Sequence, residues 1–272
     1  MRKNRFQFWQ RKFSIFQLCR IWNALFAAGV CVYSFFIAKN SLNYCDVALL
    51  SLGVFFLLAF ANTHNDIIDF EIDKINRPNR PLPSGKMSLK TARIIALASF
   101  LLAIILGFAS GFEFALLFVA VGTLCFIYNR FLKGLPLAGN LAVALLTTTP
   151  IIIPILKFKS LQPELLNLAF FAFILTFARE ITKDIEDIEG DKALGLKTFP
   201  VLLGTNLSFA LVLICEIQCL AVLALFKLPA FLVILPCLAL SVIFACLKKW
   251  WLSQTMLKIT MPIGMAVFYL LQ

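Results

Sequence analysis

Long apolar runs alternate with short polar segments along the whole chain. Nine of the runs are long enough for a membrane-spanning helix of about 20 residues, and each is bounded by charged residues, glycine or proline. They lie near 14–38, 43–64, 88–110, 112–129, 137–156, 163–182, 205–226, 228–247 and 254–271. The pattern predicts an all-α, polytopic membrane protein with about nine transmembrane helices.

The amino-acid composition agrees with this pattern. Of the 272 residues, 61% are hydrophobic and only 14% are charged, whereas a soluble domain carries roughly a quarter charged residues. Nine apolar runs leave no polar surface to face water, which excludes a soluble globular domain. The net charge of +11 does not require nucleic acid, because lysine and arginine collect in the cytoplasmic loops of membrane proteins.

The distribution of positive charge predicts the orientation in the membrane. With a cytoplasmic N-terminal tail, 21 of the 25 lysines and arginines lie on the cytoplasmic side or near the inner helix ends. The opposite orientation would place these 21 outside, which the positive-inside rule disfavours. We therefore predict an integral protein of the plasma membrane whose cytoplasmic segments are the tail, 65–87, 130–136, 183–204 and 248–253.

Acidic residues are concentrated in two short segments. Ten of the 14 aspartates and glutamates fall within 66–73 and 180–191, and both segments contain the pattern DxxDxxxD. The two patterns are 118 residues apart, so that Asp66, Asp69 and Asp73 correspond to Asp184, Asp187 and Asp191. This repeat predicts a single membrane domain, residues 1–272, built from two pseudo-repeated halves of about 14–136 and 137–271.

The spacing of these carboxylates predicts cation binding. Offsets of 0, 3 and 7 place three side chains on one helical face, and two such columns facing each other would repel unless cations lay between them. Oxygen ligands suit Mg²⁺, and the lysines and arginines beside both motifs suit an anion that the metal bridges. The residues therefore predict a magnesium-dependent diphosphate site.

An ion-coupled membrane transporter is the alternative interpretation of the same carboxylates. Transporters place ionisable groups near the middle of the bilayer. Both acidic motifs are instead predicted at helix ends on one side of the membrane, and this placement favours an enzyme.

The motifs resemble those of the UbiA superfamily of intramembrane prenyltransferases. The stretch from Asn62 through Asp73 to Gly85 looks like the family's first aspartate-rich motif with its loop, and the stretch from Arg179 to Thr198 looks like the second. Arg20-x-x-Asn23 and the segment 128–140 also lie where the family has secondary motifs. The resemblance covers nearly the whole chain and implies a helical bundle around a central cavity that binds a prenyl diphosphate.

The resemblance also implies roles for individual residues. The implied reaction is ionisation of the allylic carbon–oxygen bond, followed by capture of the allylic cation by an acceptor. The implied magnesium ligands are Asn65, Asp66, Asp69, Asp73, Asp184, Asp187 and Asp191. The implied catalytic residues are Asp66, Asp69, Asp184 and Asp187, with Lys183 at the diphosphate and Tyr128 near the reacting carbon. The implied substrate-binding residues are Arg20, Asn23, Asn62, Lys74, Arg77, Lys133 and Arg179, of which Asn62 also assists the metal.

The second motif most resembles the branch that moves a geranylgeranyl group onto geranylgeranylglyceryl phosphate. This implies geranylgeranyl diphosphate as the donor, a lipid acceptor and a role in ether-lipid synthesis, with no obligate protein partner. A phosphate-bearing acceptor needs its own cation, for which Arg20, Arg179 and Lys183 are candidates. An aromatic acceptor, as in quinone biosynthesis, is the alternative, because Glu180, Tyr128, Arg20 and Asn23 could serve such a ring.

Two polar residues near the motifs have two interpretations each. His64, the only histidine, is either a catalytic base or a helix-end residue that forms a local hydrogen bond. Asn140 either lies near the site or caps the N-terminus of the fifth span.

Overall fold

The computed structural model describes residues 14–38, 43–226 and 228–270, and the regular elements within these ranges are helices. They are α1 (Ile21–Ile37), α2 (Tyr44–Ile68), α3 (Phe70–Asn76), α4 (Leu89–Ser110), α5 (Phe112–Ile127), α6 (Ala138–Phe158), α7 (Pro163–Glu186), α8 (Ile188–Ala193), α9 (Phe199–Phe226), α10 (Leu228–Cys246) and α11 (Trp250–Leu270), and a π-helical turn, Tyr128–Leu132, follows α5. The predicted cytoplasmic tail before residue 14 lies outside the described residues.

The long helices match the predicted membrane spans. Within the described residues, six helices are long and apolar enough to cross a membrane: Tyr44–Ile68, Leu89–Ser110, Phe112–Leu132, Ala138–Phe158, Pro163–Glu186 and Phe199–Val222. Two further apolar helices, Ile21–Ile37 and Leu232–Cys246, are shorter, and α11 occupies the last predicted run. The all-α, polytopic prediction is confirmed, and two helices, α2 and α7, extend further than predicted because they continue into the acidic motifs.

Among the described residues, the first compact unit comprises 14–38, 43–130 and 156–158. Within it, α2 packs against α1, α4 and α5. Glycine permits the close approach of α2 to α5, because a Cβ at Gly53 would collide with the ring of Phe118. Lys157 ties the ends of two helices together, since its Nζ lies 2.8 Å from Asp46 Oδ2 and donates to the carbonyl of Ser110 at 3.1 Å.

The second compact unit comprises the described residues 131–155, 159–226 and 228–270. Here α7 packs against α9 and α11, and α10 packs against both α9 and α11. The ring of Phe171 on α7 occupies the space that a Cβ at Gly264 of α11 would need. Thr147 on α6 donates to Thr176 on α7 at 3.1 Å. The apolar faces of these helices thus hold the second acidic motif at the end of α7.

Each acidic motif contains a helix break at its middle aspartate. Helices α2 and α3 meet at Asp69, whose ψ of 3° departs from the helical value, and α7 and α8 meet at Asp187, whose ψ is 6°. Backbone hydrogen bonds still cross the first break, because the Asp69 and Asp73 amides donate to the carbonyls four residues earlier at 2.9 and 2.8 Å. Each motif is therefore a bent helix end rather than the continuous helix that the spacing predicts.

Candidate active site

Arg20 reaches the first acidic motif from the segment that precedes α1. Its backbone adopts the left-handed conformation, with φ of 46° and ψ of 56°, which non-glycine residues seldom adopt. Its Nη2 donates to Asp66 Oδ1 at 2.9 Å. Asn62 on α2 donates to the carbonyl of Cys19 at 3.2 Å and so fixes this segment against α2. The strained backbone thus turns the Arg20 guanidinium toward Asp66.

Arg80, in the loop after α3, binds two aspartates of the first motif. Its Nη1 donates to Asp66 Oδ1 at 3.2 Å and to Asp73 Oδ2 at 2.5 Å. The two carboxylate side chains are only 6% and 7% exposed, and buried carboxylates require a partner. The sequence places Arg80 among the cations beside the motif that suit an anion, whereas its ion pairs with Asp66 and Asp73 were not predicted. The available signal was its position in the proline-rich loop directly after the motif.

A cavity of about 500 Å³, with three arginines in its lining, opens beside Asp66. It is lined by Gln17, Arg20, Asp66 and the loop residues Arg77, Pro78, Asn79, Arg80 and Pro81. Three guanidinium groups against one carboxylate give the lining an excess of positive charge, which suits a phosphate-bearing ligand. The loop is fixed by Leu82, which is buried against Leu18 and Met87.

Asn65 belongs to a chain of hydrogen bonds that sequence reasoning did not predict. Its Nδ2 donates to Asn129 Oδ1 at 3.0 Å, and the Nδ2 of Asn129 donates to His64 Nδ1 at 2.9 Å. The His64 ring lies 5.6 Å from that of Phe60 and 5.4 Å from that of Phe126. Because the hydrogen bond uses the amide nitrogen of Asn65, its oxygen is the atom left to bind a cation. His64 thus bonds to a partner 65 residues away rather than locally.

The second motif is positioned by α6 and α7. Asn140 on α6 donates to Asp184 Oδ2 at 2.7 Å, so it lies at the motif rather than capping its own helix. Arg179 donates to Glu180 Oε1 at 2.5 Å, and Lys183 Nζ lies 3.5 Å from Glu180 Oε2. Glu180 therefore neutralises part of the positive charge that the sequence assigned to substrate.

Asp191 lies where two loops of the second unit meet. Thr198 Oγ1 donates to Asp191 Oδ2 at 3.0 Å. The carbonyl of Gly134 accepts from the Lys197 amide at 2.9 Å. Burial raises the pKa of Asp191, and the Thr198 hydrogen bond and the charge of Lys133 oppose this rise. A positive charge near Asp191 therefore favours its ionised form.

The remaining predicted site residues occupy several environments. Lys74 binds Glu71 at 2.9 Å, and Asp69 is buried. Tyr128 begins the π-helical turn and is half-buried, whereas Asn23, Arg77, Lys133 and Asp187 are exposed.

The donor atoms of both motifs fit magnesium by their chemistry. They are carboxylate and amide oxygens, which Mg²⁺ prefers. In the part of the chain that the structure describes, no group of three or more histidine, cysteine, aspartate or glutamate side chains is arranged to hold one metal ion. Guanidinium groups of Arg20 and Arg80 supply the positive charge at Asp66 and Asp73 instead. A metal would replace these contacts and complete its shell with other oxygens.

Comparison with known proteins identifies the family. A sequence profile of the UbiA prenyltransferase family matches residues 24–268. The chain belongs to this family. The digeranylgeranylglyceryl phosphate synthase of Methanosphaera stadtmanae is 42% identical over 201 residues, which cover 74% of this chain and 73% of that protein. The predicted UbiA membership and the prenyltransferase class are confirmed.

Solved structures share the fold of this UbiA family member. A structure concerning digeranylgeranylglyceryl phosphate synthase in membranes superposes with a TM-score of 0.74 and 26% identity, covering 95% of this chain and 97% of that one. A UbiA homologue from Archaeoglobus fulgidus bound to DMAPP and Mg²⁺ has a TM-score of 0.66 and 20% identity, and the match covers 94% of this chain and 99% of that one. The second likeness shows the UbiA fold alone.

Proposed function

We propose that this protein transfers a geranylgeranyl group from geranylgeranyl diphosphate to geranylgeranylglyceryl phosphate, a step of ether-lipid synthesis. The observation that carries the proposal is the 42% identity, over nearly three quarters of both chains, to a digeranylgeranylglyceryl phosphate synthase. The second acidic motif, with its Arg179-to-Thr198 sequence, resembles the same branch of the family. The arginines that line the cavity beside Asp66 support a substrate that carries phosphate.

The name of the product in that relative defines the bonds that change. Digeranylgeranylglyceryl phosphate carries two geranylgeranyl groups on one glyceryl phosphate, so an acceptor with one such group retains one free hydroxyl. The bond between the allylic carbon and the diphosphate breaks, and the diphosphate leaves with the electron pair. An ether bond then forms from the acceptor hydroxyl, whose proton is released to a base.

Two sets of residues are proposed to hold magnesium. They are Asn65, Asp66, Asp69 and Asp73 in the first motif, and Asp184, Asp187 and Asp191 in the second. Bound Mg²⁺ would neutralise negative charge on the diphosphate. The oxygen-only donor set supports this assignment, as does the Mg²⁺ bound with DMAPP in the Archaeoglobus fulgidus homologue. The hydrogen bond of Asn129 to Asn65 and that of Asn140 to Asp184 orient these two side chains.

Cationic side chains are proposed to stabilise the leaving diphosphate. Negative charge develops on it as the carbon–oxygen bond breaks, and donors already in place stabilise that charge. Lys74, Arg77, Lys133 and Lys183 are proposed to contact the diphosphate, with Asn23, Asn62 and Arg179 in supporting positions. Tyr128 is proposed to lie near the reacting carbon, where the face of its ring stabilises an allylic cation.

The acceptor phosphate requires a cation of its own. Of the candidates predicted from the sequence, Arg179 and Lys183 both pair with Glu180. Arg20 pairs with Asp66, yet it also lines a cavity in which arginines outnumber carboxylates. We therefore assign the acceptor phosphate to Arg20.

The proposed orientation places the N-terminus and both acidic motifs in the cytoplasm of a cell whose plasma membrane holds the protein. The asymmetric distribution of lysine and arginine supports this topology. In a cysteine-free variant, a single cysteine replacing exposed Lys86 or exposed Lys192 should react with an impermeant maleimide only after the cytoplasmic side is opened. Reaction in intact cells would contradict the orientation.

A transfer assay tests the proposed function. Purified protein in detergent receives Mg²⁺ and radiolabelled geranylgeranyl diphosphate, with geranylgeranylglyceryl phosphate and a panel of aromatic acids offered side by side. Label should pass to the glycerophosphate. Transfer to an aromatic acid instead would support the alternative function, prenylation of an aromatic acceptor in quinone biosynthesis. The absence of transfer to any acceptor would contradict both functions.

Charge-neutralising variants test the site within the same assay. Asp66→Asn and Asp184→Asn should each lower transfer by more than about a thousandfold, because metal ligands and stabilising charges act in the transition state. Their circular dichroism should stay unchanged. Glu164→Gln, an exposed acid in the first turn of α7, is the matched control and should retain full activity. Wild-type activity in either aspartate variant would refute the metal assignment.

A further inference from the structure

One acidic residue lies in the interior of a helix, away from both motifs. Of the four acids outside the two acidic segments, Asp46, Glu113 and Glu164 each lie in the first turn of a helix. Glu216 lies well inside α9 and is only 3% exposed. An ionisable residue buried in a membrane-spanning helix is costly and is by default a candidate for a specific function.

Oxygen atoms from three helices meet at the Ser241 hydroxyl, which contacts both Glu216 and Ser253. Ser241 on α10 and Ser253 in the first turn of α11 are both fully buried. The Ser241 hydroxyl donates to Glu216 Oε1 at 2.9 Å. It also lies 3.0 Å from the Ser253 hydroxyl and 3.4 Å from the Ser253 carbonyl oxygen. The cluster thus joins α9, α10 and α11 within one compact unit.

The second carboxylate oxygen of Glu216 has no protein partner. Oε2 is fully buried and forms no hydrogen bond. Among the residues that the structure describes, no lysine, arginine or histidine forms a salt bridge with Glu216. A carboxylate in such an environment must be neutralised. A proton on Oε2 would lack an acceptor, and a proton on Oε1 would leave Oε2 as unpartnered as before. A cation bound at Oε2 would partner that oxygen while Oε1 keeps the Ser241 hydroxyl.

The donor set determines the kind of cation. It contains only oxygens, namely one carboxylate, two hydroxyls and one carbonyl, and this favours a hard ion. The single negative charge balances a single positive charge. Ions of the size of Na⁺ and Ca²⁺ hold oxygens at about 2.4 Å, which sets neighbouring ligands about 3.4 Å apart. The 3.4 Å separation between Ser241 Oγ and the Ser253 carbonyl oxygen equals this spacing. The separations of 2.9 and 3.0 Å to Glu216 Oε1 and Ser253 Oγ are hydrogen-bond distances that would lengthen around an ion.

We propose that Glu216, Ser241 and Ser253 form a binding site for Na⁺. The ion binds Glu216 Oε2 together with the serine oxygens, and the hydroxyl protons turn away from it. It links the last three helices and neutralises the buried carboxylate. The site shares no residue with the acidic motifs, so it does not depend on the proposed reaction.

Sodium-dependent stability tests this site in the full-length protein. Protein purified in detergent with EDTA and without Na⁺ is titrated with NaCl, KCl or choline chloride at constant ionic strength. NaCl should raise the midpoint of thermal unfolding saturably, by about 5 to 10 °C. KCl and choline chloride should raise it much less. An equal rise with choline chloride would overturn the proposal, and an equal rise with KCl would overturn the choice of Na⁺.

Two variants and a direct measurement complete the test. Glu216→Gln keeps the shape of the side chain and removes its charge, so the response to NaCl should disappear. Ser253→Ala should raise the Na⁺ concentration needed for half of the stabilisation at least tenfold. This variant replaces Glu216→Gln in the test if Glu216→Gln does not fold. Glu164→Gln should respond like the wild type. Binding of ²²Na⁺ should reach one ion per chain and be lost in Glu216→Gln. A variant that lacks the carboxylate yet binds ²²Na⁺ normally would refute the assignment.

Discussion

Replacing Arg80 by alanine should loosen the loop that follows the first acidic motif. In the structure Arg80 is the guanidinium partner of Asp73, and it shares Asp66 with Arg20. In Arg80→Ala, Asp66 keeps Arg20, whereas Asp73 is left buried without that partner. The lost contacts hold the 77–85 loop against α2 and α3. Their removal therefore destabilises the state in which this loop is packed against the two helices.

The size of the effect follows from burial. Removing one partner of a buried ion pair costs about 3–5 kcal/mol. Arg80 is 20% exposed, and one of its two carboxylates keeps a partner, so we expect a value near the lower limit, about 3 kcal/mol. A loss of about 3 kcal/mol increases the open population of the loop roughly a hundredfold.

Hydrogen exchange measures this opening directly. The Ser84 amide donates to the Arg80 carbonyl at 3.0 Å, and the Met87 amide donates to the Pro81 carbonyl at 3.1 Å. In EDTA, both amides should exchange about a hundredfold faster in Arg80→Ala than in the wild type. Arg93→Ala removes an exposed arginine of α4 and is the matched control. A change of less than threefold in Arg80→Ala, or the same change in the control, would show that the ion pairs do not hold the loop.

Three further variants test other contacts. His64→Phe keeps a ring between two phenylalanines but removes the acceptor for Asn129, so Mg²⁺-dependent binding of a prenyl diphosphate should weaken about tenfold. Unchanged binding would show that the hydrogen bonds from His64 through Asn129 do not orient Asn65. Asn140→Leu removes the donor to Asp184, and half-maximal transfer should require about tenfold more Mg²⁺; an effect on the Michaelis constant for acceptor alone would contradict this role. Gly122→Ala places a methyl group against a phenylalanine ring of α4 and should lower the thermal midpoint by several degrees; an unchanged midpoint would show that these helices can separate without cost.

The membrane spans and the acidic motifs could be predicted from the sequence because both are local patterns. Twenty apolar residues in succession favour a spanning helix regardless of its neighbours. The repeated aspartate spacing is likewise visible without a structure. The resemblance to the family rests on these two patterns together, so the family could be predicted from the sequence alone.

The hydrogen-bond partners of the motif residues could not be predicted from the sequence in the same way. Asn129 contacts Asn65 across 64 residues, and Asn140 contacts Asp184 across 44. Such contacts depend on how helices pack, and no local pattern encodes them. The left-handed backbone of Arg20 is a further example, because this position holds neither the glycine nor the asparagine that would indicate such a conformation.

The helix break within each motif has a consequence for how the third carboxylate is held. Helices α3 and α8 contain seven and six residues, too few for either to be stable alone in water. The positions of Asp73 and Asp191 are therefore set by their partners, Arg80 and Thr198, which lie outside the DxxDxxxD pattern. Substitutions at these two partners can change the distances between the carboxylates while every aspartate is retained. The geometry of the site can therefore change although the DxxDxxxD pattern stays the same.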